Sequence, residues 1–350
     1  MRQKNVSAAI LFLMFVFMTI GQSQGAISLN YPLNRSVVEF NLLSISLEIS
    51  SGSADLIDVR VNGLKELSIL PRRNFVCFSV SLEPGINKIN IMAKYGDRTV
   101  DEVSLEVFRR SDLVSRYSIP PPGFQKKYFH MEDQSRCTEC HILEPSEKDK
   151  RFVVMEDINA EISKNSAVKP SESTCYTCHR AMTDYPFVHA PVVVWSCLSC
   201  HNPRATPKYA VPKPDTALCF SCHQKQKAVW MSHKNLHAPV VTGKCAICHN
   251  PHASDAPFIL IKQTWLLCLS CHVDKGTGKH IIAKYMAGDT HPTHGVKDPR
   301  TGGKELTCTS CHDAHASDSP FFITLKAETG MTLCKECHID PTNIRPGTRF

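Results

Sequence analysis

The sequence predicts a multidomain chain with an N-terminal all-β sandwich and a C-terminal domain of sparse short helices and many loops. Two observations carry this. The first 129 of 350 residues contain no His and one Cys, and they read as short alternating apolar runs. The remainder carries 16 of the 17 Cys and all 17 His, with Pro throughout. At 42% hydrophobic and 21% charged, the chain is not globally disordered.

In chain order, residues 1–25 read as a secretory signal peptide. Arg2 and Lys4 precede the apolar run from Ala8 to Ile20, and Ser23, Gln24 and Gly25 form a small-residue cleavage site before Ala26. That run is too short to span a bilayer as a helix. An exported chain is therefore expected, periplasmic, outer-membrane-associated or extracellular.

Residues 26–112 form the expected sandwich. Val37 to Ile49, Leu56 to Val61, Phe75 to Leu82, Lys88 to Ala93 and Val100 to Phe108 read as strands. Turns are marked at Ser51 to Ser53, Asn62 and Gly63, and Glu83 to Gly85. Val76, Phe78, Val80 and Leu82 share one face, which puts Cys77 on the other, where an inert, partly buried thiol is expected. The pattern is similar to an immunoglobulin-like or fibronectin-like domain. Residues 113–129, with Pro120, Pro121 and Pro122, read as a semi-rigid linker to a domain at 130–350.

That last domain holds eight copies of one motif, Cys-x-x-Cys-His. The thiols are Cys137 and Cys140, Cys175 and Cys178, Cys197 and Cys200, Cys219 and Cys222, Cys245 and Cys248, Cys268 and Cys271, Cys308 and Cys311, and Cys334 and Cys337. The histidines that follow are His141, His179, His201, His223, His249, His272, His312 and His338. Zinc and disulfides both explain paired cysteines, but neither needs a His at the next position in every copy. Covalent attachment of c-type haem does: two thiols add to the porphyrin vinyl groups, and the adjacent imidazole becomes the proximal iron ligand. Eight covalent haems c per chain are expected.

Nine histidines remain. His130, His189, His233, His237, His252, His291, His294 and His315 are candidate distal ligands, with His280 left over. The six Met residues after position 130 keep no fixed offset from the motifs, so bis-His, low-spin iron of low potential is expected. Positions recur: His189 and His237 each begin a His-Ala-Pro-Val segment, and His252 and His315 each sit in a His-Ala-Ser-Asp segment three residues past a motif histidine. Arg204 stands where His252 and His315 stand in the later repeats, and an insertion from about Glu144 to Ser173 interrupts the first pair.

The segments from Cys245 to His272 and from Cys308 to His338 resemble the doubled-CxxCH repeat of multihaem c-type cytochromes. The resemblance implies electron transfer along a chain of mostly bis-His haems, as a carrier or conduit in anaerobic, metal-reducing-type respiration, without substrate chemistry of its own. Two alternatives stand beside it: a multihaem oxidoreductase reducing a small nitrogen or sulfur oxyanion at one open-site haem, and a filament-forming or porin-associated cytochrome. The implied partners are other redox proteins, among them cytochromes, an inner-membrane quinol oxidase or outer-membrane conduit components, with self-assembly a further case.

The formal charge of +7 becomes +5 without Arg2 and Lys4. Sixteen propionates and eight ferric cores bring this to about −3 oxidised, and about −11 reduced. A nucleic-acid partner is therefore excluded. With about 27 residues per haem, the porphyrins themselves must supply much of the buried apolar surface and lie close together.

Overall fold

The computed structural model describes residues 25–149, 172–277 and 291–324 (302 and 320 excepted), with 335 and 337. The expected signal peptide, most of the 144–173 insertion, His280, Cys334 and His338 lie outside the described residues.

Residues 27–109 build two sheets. β1 (Ile27–Tyr31), β3 (Leu42–Ile49) and β6 (Phe75–Ser81) form an antiparallel three-stranded sheet in the order β1-β3-β6. The other sheet has the order β5-β4-β7-β8-β2-β9. It comprises β2 (Ser36–Val38), β4 (Leu56–Val61), β5 (Leu64–Ile69), β7 (Gly85–Tyr95), β8 (Arg98–Arg109) and β9 (Gln125–Lys126). Side chains alternate across each strand. The inward set, including Ile45, Leu47, Ile57, Val59, Val80, Ile89, Ile91 and Val107, is almost fully buried in one core.

Three details differ from the sequence reading. The expected strand Val37 to Ile49 is two strands, since the chain leaves one sheet at Val38 and enters the other at Leu42. β1 and β5 were not expected as strands; β5 closes a hairpin on β4 through Asn62 and Gly63. Both turn residues have positive φ (52° and 84°), the geometry that suits a two-residue hairpin loop. Third, the expected linker supplies β9, which pairs in parallel with β2 and so ties the spacer to the sheet.

Two polar groups are buried in this domain. The Asn87 amide is fully enclosed and spends all its capacity at one turn. Its Nδ2 donates to the carbonyls of Glu83 (2.7 Å) and Gly85 (3.0 Å), and its Oδ1 accepts from the Glu83 N–H (2.9 Å) and Asn62 Nδ2 (3.1 Å). Asp58, 4% exposed, accepts from Lys94 Nζ at 2.6 Å and from Ser68, with Lys65 at 3.3 Å. Lys94, then Ser68, hold its carboxyl well below the usual range against the opposing effect of burial.

Beyond residue 130 the order is different. Helices are short, the longest in the described residues being Gln224–Met231. Nineteen apolar side chains are buried between Ile27 and Leu113, but only seven in the described residues after 130, among them Val194, Trp195 and Leu267. This domain has little core made of protein, as the density of motifs requires. The insertion is fastened at its base. Asp149, 3% exposed, accepts hydrogen bonds from Ser146 (2.7 Å), Ser173 (2.6 Å) and Thr174 (2.7 Å), joining its two ends.

The sandwich lies against this region. Asn41 Nδ2 donates to Tyr185 Oη (3.3 Å), Ser44 Oγ to the Cys178 carbonyl (3.5 Å), and the Phe40 ring meets His252 edge-on at 4.9 Å. Cys77 is on the outward face as expected but exposed rather than partly buried. Its neighbours across β3 are serines, and Sγ reaches Ser46 Oγ at 3.7 Å.

Asn87→Ala leaves two carbonyls and an N–H unsatisfied, so the sandwich should lose roughly 2–5 kcal/mol; urea unfolding followed by far-UV circular dichroism measures it. Because the Asp58 pKa is depressed on folding, its contribution is present above the unfolded carboxyl value near about 4 and is lost as pH falls below it. Asp58→Asn should flatten the acid limb of the sandwich's stability profile in the same measurement.

Candidate functional site

Each motif in the described residues is one turn of helix. The His N–H donates to the carbonyl of the first Cys four residues back, at 2.9 Å in His141, His223 and His272, 3.0 Å in His179, His201 and His312, and 3.1 Å in His249. An i to i−4 bond holds both thiols and the imidazole on one short turn. No described cysteine is bridged.

Five of these imidazoles face a second imidazole from a distant segment. His179 faces His130 (ring centres 6.3 Å apart), His201 faces His252 (5.8 Å), His223 faces His189 (6.2 Å), His249 faces His315 (6.1 Å) and His272 faces His237 (6.1 Å). The rings lie 4° to 32° from parallel. A metal–nitrogen bond of about 2.0 Å on each side, plus about 1.1 Å from nitrogen to ring centre, places two trans-axial imidazoles about 6.2 Å apart. The five separations match that span and are too long for ring stacking in contact. Among the described residues no three His, Cys, Asp or Glu converge to hold a metal ion unaided. Two opposed nitrogens are the donor set of an iron whose equatorial plane is filled by a porphyrin.

The second ring nitrogen is also provided for. His189 Nδ1–H donates to the Pro251 carbonyl (2.9 Å) and His237 Nδ1–H to that of Ala314 (2.9 Å). Among motif histidines, His201 donates to Tyr209 (2.8 Å), His249 to Phe258 (2.9 Å) and His312 to Phe321 (2.7 Å). Each such bond fixes the tautomer and leaves Nε2 free to ligate. Burial pushes His252 down to about 3 and His130 to about 4, so both rings stay neutral and able to ligate.

The pairing follows a rule. The imidazole preceding a repeat faces the second motif of its own repeat: His130 with His179, His189 with His223, His237 with His272. The imidazole three residues past a repeat's first motif faces the first motif of the repeat before it: His252 with His201, His315 with His249. Short ribbons enforce this. β10 (Phe187–Val188) pairs with β12 (Ala253–Ser254), β11 (Asn235–Leu236) pairs with β13 (Ala316–Ser317), and the N–H groups of His189 and His237 donate to the carbonyls of His252 and His315, each at 2.9 Å.

The other candidates have these neighbours among the described residues. His233 Nδ1 is 3.4 Å from Asp318, His294 stacks on Trp265 with centres 4.3 Å apart, and His291 Nδ1–H donates to the carbonyl of Pro292. Sequence reasoning missed the aromatic supports: Trp230 stacks on His315 (4.2 Å), and Tyr209 meets His130 edge-on (4.6 Å). No fixed spacing ties these rings to the motifs, so only the folded chain reveals them.

Successive motifs bring their sulfurs within each other's electrostatic reach. Hydrogen bonding within the pairs Cys175–Cys197, Cys245–Cys219 and Cys308–Cys268 draws the first-named thiol of each down to about 7 and pushes its partner up. Burial raises Cys178, Cys200, Cys248 and Cys311, and the neighbouring thiols Cys137, Cys222, Cys271 and Cys337 add to the shift electrostatically. Thioether bonds remove these protons; the adjacency remains. A cavity of about 250 Å³ is lined by Cys140, His141 and Cys178, so the first two motifs border one space.

A family described as "Doubled CXXCH motif" matches this chain at residues 189–228, 237–277 and 298–342. The pair from Cys137 to His179, split by the insertion, is outside those matches. No curated protein matches the chain. Among solved structures, the fibronectin(III)-like modules of Clostridium thermocellum CbhA are 20% identical over 24% of this chain and 94% of theirs, with a TM-score of 0.21. An FMN-binding β-glucuronidase from Facaelibacterium prausnitzii is 14% identical over 27% of this chain and 13% of its own (TM-score 0.20). A Jonesia denitrificans lytic polysaccharide monooxygenase is 6% identical over 25% and 80% (TM-score 0.20). The doubled motifs imply covalently bound haem c, in a multihaem cytochrome c involved in electron transfer.

Replacing both Cys197 and Cys200 by Ala should lower the mass of the mature holoprotein by one porphyrin, beyond the change in the two side chains. Intact-protein mass spectrometry reads this directly.

Proposed function

We propose that this chain carries eight haems c and passes electrons along them in the order of the sequence, as an exported carrier or conduit between redox partners. The observation that supports this most strongly is the set of five opposed imidazole pairs at the span of an iron. Iron closed on both sides by imidazole changes oxidation state without gaining or losing a ligand, so little reorganisation opposes transfer.

The linear order rests on the sulfur contacts. Each motif adjoins the next, from Cys137 with Cys178 through to Cys311 with Cys337, with no motif skipped. Since each sulfur is bonded to a porphyrin edge, adjoining sulfurs bring adjoining edges together. What the protein supplies is an axial direction at the five paired positions and short gaps between successive motifs. The haem supplies the electron-accepting metal.

The sandwich, packed at Phe40, Asn41 and Ser44 against His252, Tyr185 and the second motif, covers that flank of the series. Partners are other redox proteins, and the net negative holoprotein favours basic docking faces on them.

The test is a pyridine-haemochrome assay against protein mass, joined to a redox titration followed optically and by EPR. Eight haems per chain, predominantly low-spin and titrating at low potential, are expected. A count of four to six, or mainly Met-ligated high-potential iron, overturns the proposal. In His252→Ala, one low-spin ferric signal should convert to high-spin while the haem count stays unchanged.

A further inference from the structure

Among the three repeats that are followed by another, the ligand rule has one position it cannot fill. The iron of a repeat's first motif takes its second imidazole from the residue three past the first motif histidine of the next repeat: His252 for His201, His315 for His249. For the first repeat, whose first motif histidine is His141, that residue is Arg204. A guanidinium stays protonated and has no lone pair to offer a metal.

The structure departs from the repeat at the same place. Where His189 and His237 are hooked to the following repeat through Nδ1–H and backbone bonds, His130 Nδ1 is buried with no hydrogen-bond partner. Among the described residues no ribbon like β10–β12 joins the first repeat to the second. Contact there runs instead through Tyr209 against His130, the Lys208–Glu144 ion pair, and the Lys208 N–H on Met131 Sδ (3.4 Å). Among the described residues no imidazole stands opposite His141, and the insertion at 150–171 contains no His.

Two of the described surplus histidines are held elsewhere. His233 sits beside Asp318 in the fourth repeat and His294 on Trp265 in the third, towards the other end of the series.

From this geometry we infer that the haem on Cys137, Cys140 and His141 is open on its distal side and binds a small exogenous ligand there, an anion being favoured by Arg204. The inference rests on the proposed haem loading, and it assigns the open position to one named iron of eight. The ligand class is a compact σ-donor that reaches iron through one atom, such as azide, cyanide or nitrite, with carbon monoxide as the neutral counterpart.

The experiment uses the mature holoprotein, with haem content measured first, so that failure of haem loading is seen separately. In the oxidised protein, EPR should show a high-spin ferric signal amounting to one haem, converted to low-spin by azide. The reduced protein should bind one carbon monoxide per chain. Arg204→His completes the repeat: the high-spin signal and the carbon monoxide site should both disappear at unchanged haem content. Arg204→Ala should keep the carbon monoxide site and weaken azide about tenfold, the effect of losing one charge-assisted hydrogen bond.

Fully low-spin wild-type protein that binds no carbon monoxide overturns the inference, whichever side chain provides the ligand. A high-spin signal unchanged in Arg204→His overturns the assignment to this iron. Azide binding unchanged in Arg204→Ala overturns the preference for anions.

Discussion

The organisation after residue 130 depends on one constraint: two imidazoles held about 6 Å apart by segments distant in sequence. An ordinary domain meets its need for buried surface with a core, as the sandwich does around Ile57, Ile89 and Ile91. Here side chains contribute little, and the opposed imidazoles are placed where axial coordination would take over the part that packing plays elsewhere. The ribbons β10–β12 and β11–β13 are only two residues long per strand, too short to be stable alone. They act as registers, setting His189 and His237 against the following repeat at the depth where each faces a motif imidazole.

The backbone serves the same end. Carbonyls at Pro251, Ala314, Tyr209, Phe258 and Phe321 each receive a ring N–H. Tyr209 and Phe258 have positive φ, an uncommon conformation for residues with bulky side chains. That strain is local and coincides with the turn that aims a carbonyl at a motif histidine, which gives it a purpose in orienting the ligand.

What could be read in the sequence divides along the range of the chemistry. Covalent attachment is local: two thiols and a histidine within five residues announce a haem whatever the remainder does. Strand alternation in Val76, Val80 and Leu82 is local too, and the structure buries those residues while leaving Cys77 outward. The partners of the motif histidines were not legible. His252 and His201 are separated by fifty-one positions, and nothing in either segment says that the donor belongs to the preceding repeat. The division of Val37 to Ile49 between two sheets escaped notice for a related reason, since both halves alternate and only tertiary placement separates them.

The backward loan of an imidazole from each repeat to its predecessor bears on how the chain comes into being. Were haem attached as the chain emerges from its N-terminus, His201 would be presented before His252, the imidazole that faces it, and His249 before His315. Each such pair would close only when the following repeat is delivered, so that assembly would run one step behind emergence.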